Sequence, residues 1–129
     1  MVEIESIPMQ QHLLRAVTFA SSAISLHMSL TKCTKRRINT IIPVAKCDVL
    51  NDVAASLQFD IENRLAFRTQ SDATIKLMIE AIEMLIHYDR MDIAANLVDM
   101  DRLQAEAMDT RIKNCMLLKC NLKSVLENV

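Results

Sequence analysis

Apolar residues recur along this chain at intervals of three and four, and no stretch alternates long enough to read as a strand. Leu13, Val17, Ala20, Ile24 and Met28 form one stripe, and Phe19, Ala23, Leu26 and Leu30 form another on the other side of the same predicted helix. Ser6 supplies a cap for its start, with Pro8 tolerated in the first turn. A helix apolar on two faces either packs against several neighbours or keeps one face for a partner chain. Both readings stand, since Thr18, Ser21, Ser22, Ser25 and Ser29 keep part of this helix polar.

The same periodicity predicts the remaining elements. Val49, Val53, Leu57, Ile61 and Leu65 place a second helix from about Cys47 or Asp48 to about Arg68. "INTIIPV" before it reads as a connector, because Pro43 stops a helix and pushes Ile42 toward an extended conformation. "RTQSD" breaks the pattern again, and Thr69 or Ser71 can cap a third helix running to Tyr88. That helix carries Ile75, Met78, Ile79, Ile82, Leu85 and Ile86 on one side and Leu77, Ala81, Met84 and Tyr88 on the other, which makes it the most buried. "HYDRMD" interrupts it, with Asp89 or Asp92 as cap for a fourth helix through Ile93, Ala94, Leu97, Val98 and Leu103. A further boundary falls at Met108 to Thr110, before Ile112, Cys115, Met116, Leu118, Leu122 and Leu126, unless 89–128 form one long helix. The core is expected at Val17, Ile24, Val53, Leu57, Ile61, Ile79, Ile82 and Leu97.

Composition narrows the fold class further. The chain has no glycine, so the common hairpin turns, phosphate-cradling loops and the nucleophile elbow lose the residue that fills their special backbone positions. At 129 residues one domain is long enough to bury a core without disulfides or metals. With nine Met and four aromatics, that core is aliphatic and deformable. The segment from Ala81 to Leu103 resembles a tetratricopeptide-type helical hairpin with Tyr88 near its turn. A repeat array needs at least three such units, and no second copy occurs.

Charge is unevenly spread. Residues 1–47 carry six Lys/Arg against two Asp/Glu, residues 71–110 carry three against nine, and residues 111–129 carry four against one. Two basic ends flanking an acidic middle can pair within the chain or offer opposite patches to partners. The densest cluster, Lys32, Lys35, Arg36 and Arg37 with Lys46 beyond it, can neutralise phosphates or complement the carbonyls at a helix end. The pI near 6.3 and the lack of interleaved aromatics weigh against nucleic acid.

Candidate chemistry is sparse. Cys33, Cys47, Cys115 and Cys120 form no CxxC pair, and the spacing of 115 and 120 turns those thiols apart on a helix. His12, His27 and His87 are scattered without metal-ligand spacing. Glu80 with Glu83, and Asp99 with Asp101, read as solvated charges, and His87 beside Tyr88 and Asp89 as a helix-end residue. The start "MVEIESIPMQQ" is acidic and polar, and no run approaches a membrane span, so a reducing cytoplasmic compartment is expected.

These observations predict an all-α, single-domain bundle of four to five helices over residues 1–129, without sheet and without catalytic, cofactor or metal sites. The expected function is that of a non-enzymatic protein-protein interaction module, a small chaperone or regulatory adaptor that takes an amphipathic helix of a partner. Phe19, Ala23, Leu26 and Leu30 are its expected partner surface, covered by a partner helix or by a second copy in a homodimer. The alternative is a nucleic-acid- or phosphate-binding regulatory protein that uses Lys32, Lys35, Arg36, Arg37 and Lys46.

Overall fold

The computed structural model describes the backbone of residues 2–33, 41–96 and 99–127, and the side chains of all of these but 28–33 and 41–43. Among the described residues the order is β1 (Val2–Ile4), α1 (Ile7–Cys33), α2 (Ile41–Glu62), β2 (Phe67–Thr69), α3 (Asp72–Asn96) and α4 (Arg102–Glu127). The all-α bundle expected from periodicity is the observed architecture. α1 packs against each of the other three helices, whereas α2 and α3 touch each other little.

Helix starts follow the chemistry of their caps. Met9 N donates to Ser6 Oγ at 3.4 Å and Thr74 N to Ser71 Oγ at 3.2 Å, so both serines satisfy an orphan amide of the first turn. Asp101 and Gln104 form a reciprocal capping box: Gln104 N donates to Asp101 Oδ1 at 2.8 Å, and Asp101 N to Gln104 Oε1 at 3.4 Å. The last start therefore lies at Arg102, and the expected boundary at Met108 to Thr110 falls inside α4.

Three other boundaries are corrected. Pro43 lies in the first turn of α2, where a missing N–H costs no intrahelical bond, so residues 41–43 are helix and not extended connector. α2 stops at Glu62 rather than Arg68. α3 runs without a break through "HYDRMD" to Asn96, which removes the hairpin turn expected at Tyr88. Asp89 follows Ile82, Leu85 and Ile86 at helical spacing and is only 2% exposed, so a carboxylate occupies a core position there.

Asp89 tolerates burial because Arg15 of α1 grips it with both terminal nitrogens, Nη1 to Oδ2 at 3.0 Å and Nη2 to Oδ1 at 2.7 Å. Around this pair the core is aliphatic: Leu13, Ala16, Val17 and Ala20 of α1 meet Leu50, Val53 and Leu57 of α2, Ile75, Met78, Ile82 and Leu85 of α3, and Ile112, Leu118 and Leu122 of α4. Of the expected core, Val17, Val53, Leu57, Ile79 and Ile82 are buried, Ile24 and Ile61 are half-buried, and Leu97 lies outside the described residues. Small residues let α1 and α2 approach closely, and Ser21 Oγ donates to Asn51 Oδ1 at 2.8 Å across that seam.

One feature departs from the expectation of no sheet. β1 and β2 form a two-stranded antiparallel ribbon with Val2 opposite Thr69 and Ile4 opposite Phe67. Val2, Ile4 and Phe67 point into the core, while Glu3 and Arg68 pair on the outside at 3.1 Å. Three residues per strand leave too short an alternation to be read from sequence. Gln10, fully buried, anchors the ribbon by donating from Nε2 to the carbonyls of Ile4 (2.9 Å) and Leu65 (3.0 Å).

α2 ends in a Schellman motif. Leu65 N donates to Asp60 O at 2.8 Å and Arg64 N to Ile61 O at 3.3 Å, with Arg64 at φ 54°. Glycine normally takes this left-handed position, and the chain has none.

Two stability changes are expected. Asp89→Ala leaves Arg15 without its buried partner and should cost about 3 kcal/mol in urea unfolding, most of which Arg15→Met combined with Asp89→Leu should recover. Arg64→Gly should raise stability by about 0.5–1 kcal/mol in the same measurement, because it relieves the left-handed strain.

Candidate docking groove

Among the described residues, α2 and α3 make few contacts with each other, and part of α1 lies open between them. The result is an open groove of about 760 Å³ lined by Ala23, Ile24 and His27 of α1, Lys46 of α2, and Glu80, Glu83, Met84 and His87 of α3. Along α3 these residues lie at intervals of three and four, which puts them on one face beside the core stripe. Ala23 and Ile24 give the floor an apolar character, and Met84 adds a side chain that adapts to irregular surfaces.

The rim is charged and internally paired. Lys46 Nζ lies 3.5 Å from Glu80 Oε2 across the groove, and Lys119 and Lys123 of α4 approach Glu83 Oε1 at 3.8 and 3.5 Å. Together with Arg15 and Asp89, these contacts tie both basic ends of the chain to its acidic middle. The exposed pairs orient side chains more than they stabilise the fold.

The expected partner stripe is divided by the fold. Phe19 is half-buried against Tyr88, with ring centroids 4.9 Å apart and planes at 43°. Ala23 lines the groove, and Leu26 stands beside it, 62% exposed. The side chain of Leu30 lies outside the described residues, as do Lys35, Arg36, Arg37 and the side chain of Lys32. Lys46, the described member of the basic cluster, is engaged with Glu80. Glu80, Glu83, Met84 and His87 were not expected as site residues: the two glutamates read as solvated charges, Met84 as part of an apolar side and His87 as a helix-end residue.

A second polar cluster lies between α1, α3 and α4. His12 and Arg15 of α1 meet Asp89 of α3 and Arg111, Asn114 and Cys115 of α4. Burial and then the neighbouring Arg15 and Arg111 guanidiniums hold His12 below the ordinary histidine value of 6.5. Asn114 Nδ2 approaches His12 Nε2 at 3.4 Å, a donor contact that requires the unprotonated nitrogen. Burial also pushes the Cys115 thiol up, so it is a poor nucleophile.

No family model, no curated protein and no solved structure matches this chain. Among the described residues no group of three or more His, Cys, Asp or Glu is placed to hold a metal ion, and no helix is long and apolar enough to cross a membrane.

The polar cluster makes stability depend on pH. Folded His12 resists protonation while the unfolded chain takes up the proton, so its contribution is present above about pH 6.5 and is lost as pH falls toward the lower folded value. Urea midpoints measured from pH 8 to 5 should fall at the acid end, and His12→Gln should flatten that slope.

Proposed function

We propose that this protein is an interaction module, a small chaperone or regulatory adaptor, whose groove receives the apolar face of an amphipathic helix from a partner protein. The observation that carries this reading is the groove itself, open among the described residues along Ala23, Ile24 and His27 of α1 between Lys46 of α2 and the Glu80 to His87 face of α3. The floor is apolar, with Ala23 as its smallest residue, and the lining residues of α3 span about two turns. That span suits anchors at i, i+3 or i+4, and i+7 on an incoming helix. Leu26 extends the apolar surface beyond the groove, where a longer helix would cover it. The mixed charges of Lys46, Glu80 and Glu83 flank the floor and give an occupant a preferred direction rather than much affinity.

Fluorescein-labelled synthetic amphipathic helices with Leu and Met on one face, read by anisotropy, test this reading directly. Such a helix should bind saturably, a scrambled peptide of the same composition should not, and Ala23→Glu and Met84→Glu should each weaken binding by about tenfold or more while circular dichroism stays helical. Equal binding of the scrambled peptide, or no effect of either substitution, would overturn it. Sedimentation of the wild type beside Leu26→Glu separates the remaining occupant: a wild-type dimer that this change dissociates identifies a second copy.

A further inference from the structure

A different cavity, of about 520 Å³, opens between the last turns of α3 and the first half of α4. Asp92 and Asn96 line it from α3, Gln104, Ala107, Met108 and Arg111 from α4, and Met100 from the connection between them. It shares no lining residue with the groove over α1. Its size lies in the range of small-molecule sites.

Two charges in this cavity are unmatched. Arg111 lines the cavity and makes no ion pair among the described residues; its Nε is buried out of reach of solvent without a hydrogen-bond partner, so a ligand meets this guanidinium at its terminal nitrogens. The buried carboxylate of Asp89 is paired with Arg15 through both oxygens and makes no ion pair with Arg111 among the described residues. Asp92 on the opposite wall also makes no ion pair among the described residues; its Oδ1 accepts only from Asn96 Nδ2, at 2.8 Å. Arg111 and Asp92 thus face one space without meeting. Met100, Ala107 and Met108 make the rest of the lining largely apolar. A guanidinium is suited to a bidentate carboxylate. A simple carboxylate would be repelled by Asp92 and a simple amine by Arg111, whereas a ligand bearing both charges beside an apolar group satisfies each wall.

We propose that this cavity binds a free apolar α-amino acid, with its carboxylate on Arg111, its ammonium on Asp92 and its side chain against Met100, Ala107 and Met108. Binding would compensate Arg111, one of the two guanidiniums that bear on His12, and would tie α3 to α4 at the end of the bundle away from the groove.

Titration of the ¹⁵N-labelled protein with L-leucine decides the matter, with 4-methylpentanoate and 3-methylbutylamine as probes that each lack one charge. Leucine should shift the backbone signals of Asn96, Gln104, Met108 and Arg111 saturably at millimolar concentration, and each half-ligand should bind about tenfold more weakly. Arg111→Gln should weaken leucine by a similar factor, and Asp92→Asn should weaken leucine while strengthening 4-methylpentanoate. Should Arg111→Gln fail to fold, Ala107→Phe provides the second test, since it fills the cavity from an exposed position and should abolish the shifts while the protein stays helical. Binding of 4-methylpentanoate as tight as that of leucine, saturable binding to Ala107→Phe, or no shift by leucine in the folded wild type would each overturn the proposal.

Discussion

Burial of α1 organises this molecule. Its apolar residues occupy more than one face, so one neighbour cannot cover them, and α2, α3 and α4 each take part of its surface. α2 comes close because α1 presents Ala16, Ala20, Ser21 and Ser25 along its length, and small side chains allow two backbones to approach. α3 and α4 pack over the stretch from Leu13 to Ala20. Farther along α1, α2 and α3 flank it with few contacts between themselves, and the groove over Ala23, Ile24 and His27 lies there. Core and groove are therefore two ends of one helix, and the apolar pattern that builds the first continues into the second.

The Arg15 and Asp89 pair fixes how α1 and α3 meet. Burying a carboxylate is tolerable only with a matched cation and good geometry, and the two-point contact provides both. Such a pair specifies a register, because sliding either helix by one turn would strand a charge in an aliphatic core. Its surroundings are less balanced. Arg111 adds a second guanidinium, and His12, held unprotonated first by its burial and then by Arg15 and Arg111, resists protonation. Burial of His12, reinforced by these two guanidiniums, makes the bundle less stable in acid.

The absence of glycine acts on the fold as a separate constraint. Helices of 22 to 27 residues are linked with few tight turns, and where α2 must end in a left-handed residue the chain uses Arg64. That turn leads into β2, which pairs with β1, and Gln10 ties Leu65 after the turn to Ile4 by donating to both carbonyls. The ribbon closes one end of the core and brings the start of the chain against its middle.

The sequence by itself determined the helical class, the number of helices within one, the cap at Ser6, the cap of α3 to within Thr69 or Ser71, and most of the core, because all of these depend on spacing and on chemistry within a turn or two. The Asp101 and Gln104 capping box was equally local, and its D-x-x-Q spacing was open to reading. Only tertiary structure decided the rest. "HYDRMD" reads as a break until Arg15, 74 residues away, neutralises Asp89 and makes a polar residue part of the core. β1 and β2 are too short to signal themselves and exist through pairing across 65 residues. The groove residues Glu80, Glu83, Met84 and His87 read in sequence as two solvated charges, a member of an apolar side and a helix-end residue, since a concavity arises from how neighbouring helices are spaced, which no single helix encodes.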